Sequence, residues 1–116
     1  MTTQTMTQTT ATTATVARGF AIRTKFLGPT NTRGSRVSAT YKRSNEETLR
    51  ATVEWRHELS AEQNHSRAAQ ALINKANDDG RAYYREIGLS AEFVPFEMTA
   101  IGWDQDNYYF LAGRCD

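Results

Sequence analysis

One cysteine, Cys115, is all the thiol this chain has. It cannot form an intramolecular disulfide or a cysteine-based metal cluster, so the fold must rest on its apolar core, and a reducing compartment is its natural setting. Long apolar runs are missing as well. No stretch approaches the ~20 apolar residues of a membrane span, and the first residues show neither a basic nor an apolar leader region. The expectation is a cytoplasmic protein with no membrane partner. Histidine is scarce: His57 and His65 do not stand at the i, i+4 spacing of a helical zinc site. His57 reads as a strand-to-helix loop and His65 as a buried histidine bonded to backbone, so neither a metal nor a cofactor is expected. Serine, aspartate and histidine occur without the placing of a triad, and Cys115 beside a frayed terminus is a poor nucleophile, so the reading is a non-enzyme with no catalytic residue.

Acidic residues are scarce in one half only. Residues 1–56 hold nine basic side chains against Glu46, Glu47 and Glu54, a balance of +6, whereas residues 57–116 hold five basic and ten acidic, −5. The net charge of +1 conceals a dipolar molecule. Such separation points to a polyanion-binding face or a self-complementary surface, and it permits a homodimer that pairs opposite patches.

The length, 116 residues, is that of one domain. Residues 1–17 are set apart. From Met1 to Thr15 there is only threonine with glutamine, alanine and methionine, too little apolar surface to offset the entropy of ordering, so a disordered tail is expected ahead of a single domain over residues 18–116. An added edge strand is the other reading of so much threonine.

From Gly19 a period of two sets in. Phe20, Ile22, Thr24 and Phe26 alternate with Ala21, Arg23, Lys25 and Leu27. Val37, Ala39 and Tyr41 alternate with Arg36, Ser38, Thr40 and Lys42, and Leu49, Ala51, Val53 and Trp55 with Arg50, Thr52, Glu54 and Arg56. These read as three amphipathic strands joined as antiparallel hairpins. Ser60 followed by Gln63 fits a capping box, and Ala61, Ala68, Ala69, Leu72, Ile73 and Ala76 form a narrow stripe of small residues that predicts a helix lying close to the sheet. Asn77, Asp78, Asp79 and Gly80 read as its stop, with a short second helix over Arg81 to Leu89. Glu92 to Trp103 and Asn107 to Ala112 read as strands, with a turn at Asp104 to Asp106 and with Pro95 breaking the first or confining it to an edge. The expected fold is α+β: an antiparallel sheet of about five strands in the order β-β-β-α-β-β, with one Ala-rich helix on one face.

Opposite the helix the strands carry Arg23, Lys25, Arg36, Lys42, Arg50 and Arg56 with Glu54 as their one acid. The loop Gly28 to Arg36 adds Arg33, three hydroxyls and two glycines, a combination suited to cradling phosphate oxygens. It lacks a Gly-Lys-Ser/Thr ending and opens no helix, so it is not a nucleotide-binding P-loop. A plain hairpin loop explains it equally well, with Pro29 fixing φ, Gly34 at positive φ and Asn31 closing an Asx turn.

The stretch Thr24-Lys25-Phe26-Leu27-Gly28-Pro29-Thr30-Asn31-Thr32-Arg33-Gly34-Ser35-Arg36-Val37, followed by Asn64-His65 and the Ala-rich helix, resembles a family of small uncharacterised proteins carried by phages and plasmids. The resemblance covers roughly Ile22 to Leu72. It implies a mobile-element accessory protein and brings no settled activity.

Two functional expectations follow. The first is nucleic-acid binding, to DNA or RNA, with phosphates held by Arg23, Lys25, Arg33, Arg36, Lys42 and Arg50. An RNA-recognition sheet would show aromatics on its open face, and here the strand aromatics fall on the core side. The second is a protein-interaction module, such as an inhibitor of a host factor, using Tyr83, Tyr84, Trp103, Tyr108 and Tyr109 of the acidic, aromatic last third.

Overall fold

A computed structural model describes residues 19–114. The tail expected over residues 1–17 lies outside the described residues, as do Arg18 and Cys115. Five strands form one antiparallel sheet: β1 (Phe20–Leu27), β2 (Arg36–Lys42), β3 (Thr48–Glu54), β4 (Phe96–Trp103) and β5 (Tyr108–Arg114), in the spatial order β3-β2-β1-β5-β4. Helix α1 (Ala61–Glu86) covers one face, and a single 3₁₀ turn (Ser90–Glu92) leads into β4. The fold is α+β in the expected order. Pro95 stands immediately before β4, which is an edge strand, where a missing N–H costs no ladder bond.

The period-two pattern translates directly into burial. Ile22 and Thr24 of β1, Val37 and Ala39 of β2, Leu49 of β3, and Phe110 and Ala112 of β5 lie beneath Ala68, Ala69, Leu72, Ile73 and Ala76 of α1. Alanines at the centre of the helix face let the backbone approach the sheet closely over Phe110, and the other large rings pack toward the two ends. At one end Phe20 stacks on Tyr41 at 4.2 Å and meets Phe96 edge-on at 5.0 Å. At the other, Phe26 meets Trp55 edge-on at 5.1 Å, and His65 lies 4.6 Å from Tyr108.

The capping box forms as expected: the Gln63 N–H donates to Ser60 Oγ at 3.1 Å and the Ser60 N–H to Gln63 Oε1 at 2.9 Å. The expected stop does not. Helix α1 runs unbroken through Asn77 to Gly80 and absorbs most of the segment read as a second helix. Asn77 is buried and bonded to Phe96, and Gly80 is there for room, since a Cβ would stand 2.5 Å from Cε1 of Phe93. The true stop is Gly88, at φ +78°. Its N–H donates to the Arg85 carbonyl at 3.2 Å and that of Leu89 to Tyr84 at 2.8 Å, the two bonds of a Schellman cap.

Helix α1 also guards the outer edge of β3. Arg67 Nη1 donates to the Glu54 carbonyl and Lys75 Nζ to the Arg50 carbonyl, each at 3.0 Å. Eight residues of helix rise about 12 Å and four of strand about 13 Å, so the two periods match when helix and strand run antiparallel.

Candidate nucleic-acid interface

The register fixes what the uncovered face carries. Arg50, Thr40, Arg23, Tyr109 and Gly102 form one continuous row across all five strands. Lys25 lies opposite Ser38, itself opposite Thr52, and Arg36 lies between Glu54 and Leu27. Lys42 projects from the same side of β2. Arg23 and Lys25 are about 7 Å apart along one strand, and Arg23 and Arg50 about 10 Å apart across two strand spacings. The open face therefore gathers Arg23, Lys25, Arg36, Lys42 and Arg50, against Glu54 and, from β4, Glu97. The two ion pairs among the described residues, Arg43–Glu47 and Arg81–Asp78, include none of these cations.

The loop 28–35 projects from the end of this face. Its turn is closed by Thr30, not by Asn31: the Thr30 N–H donates to the Arg33 carbonyl at 2.7 Å, and the Arg33 N–H donates to Thr30 Oγ1 at 3.1 Å. Gly34 does not take the positive φ expected of it, for Gly88 alone does so among the described glycines. Arg33 is exposed, and Arg36 Nε donates to the Gly34 carbonyl at 3.2 Å, which steadies its guanidinium at the loop base. A depression of about 520 Å³ lies here, lined by Thr32, Arg33, Ser35, Arg36, Thr52 and His57 among others. His57 could not be placed beside the loop from sequence, because only the fold-back of the β3–α1 connection brings it there.

Tyr109 departs from the expectation that strand aromatics face the core. It sits on the open face beside Arg23, and its hydroxyl donates to Asp104 Oδ2 at 2.9 Å. Asp104 Oδ1 also accepts the N–H groups of Asp106, at 2.9 Å, and Asn107, at 2.8 Å. These bonds, Asn107 first, hold the Asp104 carboxyl below its ordinary range, so it stays ionised and fixes the β4–β5 turn.

His65 is buried, as the sequence suggested, but its partner is a side chain instead of backbone: Nδ1 lies 2.7 Å from Thr24 Oγ1, which is 3.4 Å from the Tyr108 carbonyl. Burial pushes the imidazole below its ordinary value and keeps it neutral. Its role is to satisfy a buried threonine beneath the sheet.

The aromatics of the last third do not form one surface. Tyr83 and Tyr84 lie near Phe20 and Phe96 at the far end of α1, where Tyr84 packs on Phe93 at 5.4 Å, whereas Trp103 and Tyr108 lie at the opposite end of β4, about 23 Å along that strand. Tyr108 is packed against His65 and Tyr109 is bonded to Asp104. Tyr83, Ile87 and Leu89 stay exposed as a separate apolar tip.

No group of three or more histidine, cysteine or acidic side chains is placed to hold a metal ion among the described residues, and no helix there is long and apolar enough to cross a membrane. No protein-family model, curated protein or solved structure matches the chain.

Proposed function

We propose that the open face of the sheet is a phosphate-contacting surface, and that the protein is an accessory nucleic-acid-binding protein of the mobile-element type that its hairpin sequence resembles. The observation that carries this reading is the collection of Arg23, Lys25, Arg36, Lys42 and Arg50 on the one face that α1 leaves uncovered, with no ion pair to a described acid. Cations with no acidic partner are free to neutralise phosphates and release condensed counterions, which gives affinity without base reading. Arg33 and Arg36 extend the surface onto the loop. Most acids of the second half lie in α1 and the turns, and Glu97 of β4 is the one that stands on the open face, so that face remains the cationic side of the molecule.

The test is fluorescence anisotropy of labelled single-stranded DNA, duplex DNA and RNA with the purified protein between about 50 and 200 mM salt. Saturable binding that weakens steeply with salt is expected. No binding to any of the three at the lowest salt overturns the reading and turns attention to a protein partner at the Tyr83–Leu89 tip.

A further inference from the structure

At the end of β1 the sheet has a notch. Tyr108, the first residue of β5, pairs with Thr24, so Lys25, Phe26 and Leu27 run on with no strand on that side, and the Asp104–Asn107 turn stands beside them. Two depressions meet there. One opens on the cationic face and is lined by Arg23, Lys25, Phe26, Asp106 and Asn107. The other opens on the helix side, has about 210 Å³, and is walled by the rings of Phe26, His65, Trp103 and Tyr108, with the polar turn Asp104 to Asn107, including both of its carboxylates, at its rim. Phe26, Asp106 and Asn107 belong to both, so the notch joins the basic face to an aromatic recess.

The rings in this recess are exposed to a degree that core packing does not explain. Trp103 is 69% exposed and Phe26 46%, although both project toward the side that the helix covers elsewhere. Phe26 is held in place by its edge-on contact with Trp55. The recess is smaller than the ~300–1,000 Å³ of a usual small-molecule site, which suits a single planar ring system.

We propose that this notch receives one unstacked base between Phe26 and Trp103, and that the ligand of the basic face is therefore a single-stranded nucleic acid. The inference rests on the phosphate-contact reading above. Arg23 and Lys25 hold the flanking phosphates on the open side. Asp106, exposed on the rim that the two depressions share, can accept a hydrogen bond from a base amino group. Aromatic rings beside a cationic track are the means by which single strands are bound with little regard to sequence. A duplex keeps its bases stacked inside and cannot offer one to Trp103 without first paying the energy of unpairing.

Anisotropy titrations with a labelled single strand, the same strand carrying abasic sites, and the corresponding duplex test this, using the intact protein and Trp103→Ala, Trp103→Tyr and Arg23→Ala/Lys25→Ala variants. Trp103→Ala is expected to weaken single-strand binding at least fivefold with an unchanged salt slope, Trp103→Tyr to restore most of it, and the abasic strand to bind the intact protein as weakly as Trp103→Ala binds the normal strand. Arg23→Ala/Lys25→Ala is expected to flatten the salt slope instead. Equal affinity for duplex and single strand, with no effect of Trp103→Ala, overturns the base-binding inference and leaves the phosphate reading standing. Absence of all nucleic-acid binding removes both.

Discussion

The side chain of Asn77 bonds the backbone of Phe96 at both polar groups: the Phe96 N–H donates to Oδ1 at 2.7 Å, and Nδ2 donates to the Phe96 carbonyl at 3.1 Å. Asn64 does the same for Arg56, at 2.9 Å in each direction. Two buried amides on one helix thus stand in for a neighbouring strand, one where the chain leaves β3 and one where it enters β4.

Asn77→Ala leaves two backbone groups of Phe96 without partners, and a loss of about 2–3 kcal/mol is expected. Urea unfolding measures it. A loss under about 0.5 kcal/mol would show that water satisfies Phe96 and that the pairing is incidental.

Gly80 and Phe93 make a coupled pair. Alanine in a helix interior is better than glycine by about 1 kcal/mol, yet here its Cβ would press on the Phe93 ring, which also carries the Arg81 guanidinium at 5.4 Å. Gly80→Ala is expected to stabilise a Phe93→Ala protein and to give no such gain in the intact one. Equal effects in the two backgrounds, compared by thermal unfolding, would mean that the ring moves aside freely.

These same residues show where the sequence was hard to read. The three N-terminal strands were legible because each has one clean face, and the start of α1 because its capping box is local chemistry. Asn77 to Gly80 misled because their turn-forming composition serves a tertiary purpose: an amide aimed at Phe96 and a space for Phe93, neither visible in a window of neighbours. Gly88 stops the helix with nothing in its surroundings to mark it above Gly80. For the site, alternation placed Arg23, Lys25, Arg36, Lys42 and Arg50 on one face correctly, whereas Arg56, read with them, lies past the end of β3 in the connection that Asn64 holds. The side taken by Tyr109 and the meeting of Phe26 with Asn107 depend on β1 pairing with β5, a contact between opposite ends of the described chain that periodicity does not encode.

The His65 imidazole makes stability depend on pH in a defined window. Its folded value lies below the ordinary 6.5, so as pH falls through about 6.5 the unfolded chain takes up a proton that the folded one refuses. Stability should decline until pH reaches the folded value, and be unaffected by this group above 6.5. Asp104 acts lower, its stabilisation being lost only as pH falls below about 4. Urea midpoints from pH 7.5 to 5 should therefore fall for the intact protein and flatten for His65→Gln. An identical slope in both would remove His65 as the cause.

Arg33→Ala with Arg36→Ala should reduce the magnitude of the log–log salt slope by about 1.4 for a single strand or about 1.8 for a duplex, because two phosphate contacts are lost at ~0.7 or ~0.9 each. Thermal unfolding should change little, since Arg33 is exposed and neither side chain enters the core. An unaltered slope would place the loop outside the contact surface.

The order β3-β2-β1-β5-β4 makes β1–β5 the only strand pairing between the first three strands and the last two. In biosynthesis this seam is assembled from the first and the last of these five strands to emerge. A nascent chain can close the β1–β2–β3 meander and lay down most of α1 while β1 still offers a bare edge, with Arg23 and Lys25 already in place along it. Only when Tyr108 to Arg114 arrive does that edge close and the notch beside Phe26 acquire its second wall. If the proposed roles hold, the cationic strip precedes the aromatic recess in time, and attraction for polyanions would come before any choice among them.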